Sequence, residues 1–186
     1  MAIKIQIILG STRPNRRGES VTQWVYELAK TRDDIEAELV DIKDYNLPLL
    51  DEPEPAGSKN YVHEHTKHWS AKINEADGYV FVTPEYNHSV PSAMKNAVDF
   101  LYSEWNNKAV GFVSYGGVGG VRSVEHWRSI AGQLQMADVR GQVTLMNRDD
   151  FDELQVQPKD HHERAAHAML DQLSSWASAL KPLRNK

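Results

Sequence analysis

Three short segments of this chain carry residue types suited to holding a phosphate and a flat ring, and each follows a run of apolar, β-prone residues. Gly10-Ser11-Thr12-Arg13-Pro14-Asn15-Arg16-Arg17-Gly18 follows Ile3 to Leu9. Thr83-Pro84-Glu85-Tyr86-Asn87-His88-Ser89-Val90-Pro91 follows Tyr79 to Val82, and Tyr115-Gly116-Gly117-Val118-Gly119-Gly120 follows Ala109 to Ser114. The first segment runs into a helical pattern, and a helix N-terminus presents unpaired N–H groups and a partial positive charge to an anion. Ser11, Thr12 and Ser20 add hydroxyl donors, and Arg13, Arg16 and Arg17 add guanidinium groups. Gly10 and Gly18 let backbone approach closely or take positive φ. Taken alone, the segment reads equally as a basic surface turn with a capping serine.

Two nucleotide sites are excluded by spelling. G-x-x-x-x-G-K-[ST] is absent, and the first strand is not followed by G-x-G-x-x-G. The second segment offers amide N–H groups, the Tyr86 ring and the Asn87 side chain between Pro84 and Pro91. That combination suits a flat redox-active ring, which needs a hydrogen-bonding edge and aromatic packing. The glycines from Gly116 to Gly120 remove side chains where a ring or phosphate could approach. Singly, each of these two segments is also a plain turn or a tight strand-to-helix connection. Together they have the composition of a flavin pocket.

The elements that must bring them together alternate along the whole chain. Ile3 to Leu9, Ile35 to Val40, Tyr79 to Val82, Ala109 to Ser114 and Val139 to Leu145 read as five strands, the second weaker and nearer an edge. Val21, Trp24, Val25, Leu28 and Ala29 recur at helical spacing, as do Val62, Trp69 and Ile73. Met94, Ala97, Val98 and Leu101 mark a third helix behind Pro91; Val124, Trp127, Ala131 and Leu134 a fourth; Ala166, Met169, Leu170, Leu173, Trp176 and Leu180 a fifth. Lys43 to Ser58, with three prolines, reads as a long surface loop. Alternation of this kind predicts an α/β fold over residues 1–186, one domain of three layers with a five-stranded parallel sheet covered by helices on both faces. Ligands of such sheets bind beyond the carboxyl ends of the strands, where the strand order reverses. That end is where all three segments fall.

Composition narrows the function classes. Among 186 residues, 21 Lys and Arg against 26 Asp and Glu leave a net charge of −5, which gives no electrostatic reason to bind nucleic acid or an anionic membrane. No apolar stretch approaches a membrane span, and Met1-Ala2-Ile3-Lys4 does not open like a signal peptide, so a cytoplasmic protein is expected. The chain has no cysteine. Disulfides, thiolate metal sites and cysteine nucleophiles are therefore excluded, and redox chemistry needs a bound cofactor. His63, Glu64, His65 and His68 lack the H-E-x-x-H spacing, and no metal site is expected. His161-His162-Glu163 reads as the polar first turn of the last helix. Trp69, Trp127 and Trp176 read as core. Trp105 is harder to bury within one subunit and is expected at a subunit contact.

On these residues the chain resembles the NAD(P)H-dependent FMN reductases of flavodoxin-like fold, which include quinone, azo-dye and chromate reductases. The resemblance rests on Gly10-Ser11-Thr12-Arg13, on Pro84-Glu85-Tyr86-Asn87 with Ser89 and Pro91, on Lys95-Asn96 and Asp99, and on the Gly-rich loop after the fourth strand, over about residues 3–136. It implies FMN as cofactor, with the phosphate on Ser11, Thr12 and Arg13, together with Arg17 and Gly18. It implies the isoalloxazine edge on Pro84, Glu85, Tyr86 and Asn87, largely through backbone groups. Tyr115, Gly116, Gly117 and Gly119 lie, by the same resemblance, on the flavin's other side. Many members have Ser where this chain has Arg16; Arg17, Gly18 or Ser20 is expected to supply that donor instead.

The implied activity is ping-pong transfer of hydride from NADPH or NADH to bound FMN and on to a quinone, dye, free flavin or other small-molecule acceptor. The flavin N5 does the chemistry, so no catalytic side chain is expected, and Glu85 reads at least as well as loop structure. A homodimer or homotetramer is implied by analogy. A flavodoxin-type electron carrier is the rival reading, although such carriers are strongly acidic with a Thr-rich phosphate loop.

Overall fold

The computed structural model describes residues 2–185. Five strands, β1 (Ile3–Leu9), β2 (Ile35–Asp41), β3 (Gly78–Pro84), β4 (Ala109–Gly116) and β5 (Ala137–Met146), form one sheet in the order β2-β1-β3-β4-β5. Every neighbouring pair in it is parallel. The chain first adds β2 on one side of β1 and then β3 on the other, so the order reverses between β1 and β3 and opens a crevice there. The helices are α1 (Gly18–Lys30), α2 (Glu64–Asn74), α3 (Ser92–Asp99), α4 (Val121–Gln133) and α5 (Asp160–Leu180).

Side chains alternate across each strand, and the sheet therefore carries two cores. Ile5, Ile7, Val80 and Val82 face α1 and α5; Ile8, Tyr79 and Phe81 face α2, α3 and α4. The strands read as near-continuous apolar runs because both faces are covered. β2 is an edge strand, and its half-exposed pattern matches its weaker sequence signal.

Three local expectations are corrected. Trp105 is completely buried: its Nε1 donates to the Val98 carbonyl at 3.2 Å and its ring packs on Trp69, Tyr79 and Phe81. The segment after α3 folds back under the sheet and delivers it to the core of this subunit. Trp176 is 48% exposed. Ala177 occupies the inward position against Gly78, where a built Cβ on Gly78 would lie 3.4 Å from the Ala177 methyl, and the next residue back turns about 100° off that face. Val62 precedes α2 and is exposed. The Lys43 to Ser58 stretch is a loop as expected, with short 3-10 turns at Ile42–Tyr45 and Ala56–Ser58.

One element has no counterpart in the sequence reading: a hairpin of β6 (Phe151–Asp152) and β7 (Gln155–Val156) between β5 and α5. It is tied down at its foot. Asp150 accepts from Met146 N at 2.7 Å and from Lys159 Nζ at 2.7 Å, and lies 3.5 Å from the buried His162 ring. Burial lowers the His162 pKa, against the pull of Asp150, and keeps Nδ1 free to accept from Lys159 N at 3.0 Å. His63 and His65 stack beside Asp51, which His65 contacts at 3.0 Å.

Candidate active site

The loop after β1 is drawn tight at its first residue. Gly10 N donates to the Val82 carbonyl at 2.9 Å, and a Cβ there would lie 2.8 Å from that oxygen, so only glycine fits. Ser11 is buried, with its Oγ 2.9 Å from the Tyr86 Oη. Arg13 holds its guanidinium carbon 5.7 Å from the Tyr86 ring centroid and has no ion pair or hydrogen bond among the described residues. Thr12 lines a separate cleft with Lys43, Asn46 and Ala93.

Arg16 turns inward. Its guanidinium donates to the Ser11 carbonyl, to both Asp41 oxygens and, through Nε at 2.9 Å, to Glu19. Burial works against its charge, but the bonds to Asp41 and Glu19 outweigh burial and raise its pKa. Arg17 instead reaches the hairpin side, donating to the Glu153 carbonyl at 2.9 Å and the Asn147 carbonyl at 3.2 Å, with its guanidinium over Phe151. Ser20 Oγ donates to Leu154 O at 2.7 Å and accepts from Val156 N at 3.1 Å. The side chains of Arg16, Arg17 and Ser20 thus shape the loop and dock the hairpin, which leaves Arg13 as the unengaged cation. Gly18 opens α1 where a Cβ would meet Leu9 and the Tyr115 hydroxyl.

The second loop is a two-residue hairpin turn. Tyr86 and Ser89 exchange backbone bonds at 3.1 Å, and Asn87 and His88 both have positive φ, 49° and 73°, as a type I′ turn demands. Ser89 Oγ meets His126 Nδ1 at 2.8 Å. Glu85 accepts from Arg122 N at 3.1 Å and Arg122 Nη1 at 2.6 Å. Its carboxylate therefore caps the start of α4 and ties the second loop to the third. In the third loop Gly119 and Gly120 have φ of 75° and 73°, and a Cβ on Gly120 would lie 2.8 Å from Tyr115 N. Gly117 has open space around it. The Tyr115 ring is buried and its hydroxyl has no partner; burial pushes its pKa well up.

These loops enclose a cavity of about 250 Å³ lined by Ser11, Arg13, Arg16, Arg17, Pro84, Glu85, Tyr86, Tyr115 and Gly116. It adjoins an open cleft of about 520 Å³ that shares Arg13, Glu85 and Tyr86 and adds Asn87. Gly18, Gly117 and Gly119 shape the loops without lining either space. Asn15, Asn147 and Leu154 also line the cavity, and none of them was expected. Asn147 and Leu154 come from the excursion after β5, whose only sequence signal is its place, the fifth strand-to-helix connection on the same sheet end. The Asn147 Oδ1 is buried without a partner. An unengaged guanidinium, a buried serine hydroxyl and two orphaned polar atoms in one cavity fit a ligand with a phosphate and further hydrogen-bonding groups, joined to a ring in the cleft.

A parallel sheet whose switch-point crevice is built this way defines a flavodoxin-like α/β protein. Residues 3–150 match the family model described as NADPH-dependent FMN reductase, and the chain belongs to that family of FMN-using, NAD(P)H-dependent oxidoreductases. An NAD(P)H-dependent FMN reductase of Schizosaccharomyces pombe is 44% identical over 135 residues, covering 72% of this chain and 68% of the relative. An NAD(P)H:quinone oxidoreductase of Solanum tuberosum is 31% identical over 189 residues, covering 96% and 95%. Among solved structures, the flavoenzyme FerB of Paracoccus denitrificans, an NAD(P)H:(acceptor) oxidoreductase, superposes with a TM-score of 0.73 at 18% identity, over 96% of this chain and 98% of FerB. That last likeness concerns the fold.

Proposed function

We propose that this enzyme passes hydride from NAD(P)H by way of FMN to a quinone-class acceptor, in a ping-pong sequence. FMN, when bound, supplies the hydride acceptor and donor; the protein binds, orients and tunes. The observation that carries the reading is the unengaged Arg13 guanidinium beside buried Ser11, at the mouth of a crevice cleared by glycines. Arg13 offsets phosphate charge, and Ser11 donates to it. The backbone of Pro84 to Asn87, held rigid by the Asn87-His88 turn and by the bond from Arg122 to Glu85, would hold the ring edge. Fixed amide dipoles at that edge favour a ring that gains negative charge. Leu154, which lines the cavity, would shield the phosphate end from water, and the open cleft would admit donor and acceptor in turn.

Quinone as acceptor is supported by the potato relative, whose name carries that activity. No helix among the described residues is long and apolar enough to cross a membrane, which accords with a cytoplasmic enzyme drawing on the NAD(P)H pool. A homodimer or homotetramer completes the proposal, with exposed Leu49, Leu50 and Val62 as apolar surface to cover. The test is an anaerobic visible spectrum of the FMN-loaded protein before and after NADPH. Prompt bleaching is expected. A flavin that stays oxidised with both NADPH and NADH would favour an electron carrier, and failure to load FMN would remove the reading.

A further inference from the structure

A phosphate monoester carries close to two negative charges and accepts through three oxygens. Side-chain donors at the β1 loop are few. Arg16 is engaged with Ser11 O, Asp41 and Glu19, while Arg17 and Ser20 hold the hairpin. Thr12 faces a separate cleft, which leaves Ser11, Arg13 and Asn15 on the cavity side. A further donor arrives from the other side of the crevice: the Tyr86 Oη lies 2.9 Å from Ser11 Oγ, and the Arg13 guanidinium lies 5.7 Å from the Tyr86 ring.

The placement is built rather than incidental. The Tyr86 backbone is bonded in both directions to Ser89, and Ser89 is held by His126. Two adjacent hydroxyls can bond to each other with only one of their protons, so one donor in the pair points elsewhere. An anion with several acceptor oxygens takes both protons at once, with little movement of either side chain. A phenol is also a stronger donor than an alcohol.

We propose that the Tyr86 hydroxyl is a phosphate-binding group, forming with Ser11 and Arg13 a three-donor set for a phosphomonoester that spans the first and second loops. It supplies the hydroxyl that position 16 does not. The inference rests on the FMN reading and adds a side-chain role to Tyr86 at the opposite end of the cofactor from the ring.

FMN and riboflavin differ only in the phosphate, so the experiment compares their dissociation constants, by quenching of flavin fluorescence, in wild type and in Tyr86→Phe. The expected result is about a tenfold loss of FMN affinity, the scale of one hydrogen bond to a charged group, with riboflavin affinity unchanged. Ser11→Ala gives the same pattern by an independent substitution. Equal weakening of both flavins would place the hydroxyl at the ring instead and overturn the proposal. Tighter FMN binding in Tyr86→Phe would also overturn it, by showing that the hydroxyl blocks Ser11 rather than joining it. Wild type that binds FMN no better than riboflavin would instead refute the phosphate reading of the whole site.

Discussion

Arg13 and Arg16 stand one helical turn apart in sequence and divide the work of the first loop. All three nitrogens of the Arg16 guanidinium donate within the protein, whereas those of Arg13 are unengaged among the described residues. Arg13→Ala should lower FMN affinity by about 10- to 100-fold, the range for charge-assisted bonds to phosphate, with turnover of fully loaded enzyme little changed. Flavin fluorescence titration and kinetics at saturating FMN check both halves. Arg16→Ala should act on the fold instead. It strips the Ser11 carbonyl of its side-chain donor and leaves the Asp41 carboxylate with the Lys43 N–H alone, and should cost about 2–4 kcal/mol in urea unfolding. The residue types of this loop were legible in the sequence, and so was the departure at Arg16. Which arginine keeps its guanidinium unengaged was not, because Asp41 comes from β2 and Asn147 and Glu153 from the far end of the chain. No local pattern encodes those partners.

The third loop makes a sharper distinction among glycines than sequence could. Gly120 has φ of 73° and no room for a Cβ, while Gly117 has neither constraint. Gly120→Ala should destabilise by about 2–3 kcal/mol through strain and contact, and Gly117→Ala should stay within about 0.5 kcal/mol. Thermal melts of the two variants side by side decide it. The five strands and five helices were legible because each is a run long enough to show a period of 2 or 3.6, or to be continuously apolar. The β6–β7 hairpin was not, having two residues per strand and its hold on α1 through Ser20 and Arg17. Ser20→Ala should therefore speed amide hydrogen exchange at Val156, whose N–H it anchors, while leaving β1 and β3 protected. Unchanged exchange at Val156 would show that the hairpin is held elsewhere.

Seen whole, the molecule separates a chemical end of the sheet from a structural end. At the structural end Lys108 is buried with its Nζ donating to Ile73 O and Tyr79 Oη, each at 2.9 Å. Burial, reinforced by the nearby Arg184 charge, lowers its pKa from 10.5 to about 7. Between those values the unfolded chain holds a proton that the fold has released, so this group makes stability rise with pH across that window. The melting temperature should climb from pH 7 to pH 9, and Lys108→Met should flatten the climb; a slope unchanged in that variant would refute the assignment. At acid pH the slope has the same direction but comes from carboxylates. Hydrogen bonding to Arg32 lowers the Asp34 pKa to about 2, and Asp77 and Asp150 are lowered by their lysine partners against the cost of burial. Their contribution is present above the unfolded carboxylate range and is lost as pH falls through about 4 toward 2, which a melting series over that range reads. The expected subunit contact at Trp105 failed at this same scale, since an aromatic cluster assembled from four elements cannot be read from one of them. That cluster has an optical consequence. Trp69, Trp105, Phe81 and Trp127 lie edge to face in a row, and the Trp127 indole N–H rests on Thr83, next to the loop proposed to hold the ring. Isoalloxazine absorbs where tryptophan emits, so loading FMN should dim the blue-shifted emission of the buried indoles by energy transfer. The solvent-facing Trp176, on the other side of the sheet, should keep more of its red-shifted glow, so that the unlabelled protein reports its own occupancy by the colour of its fluorescence.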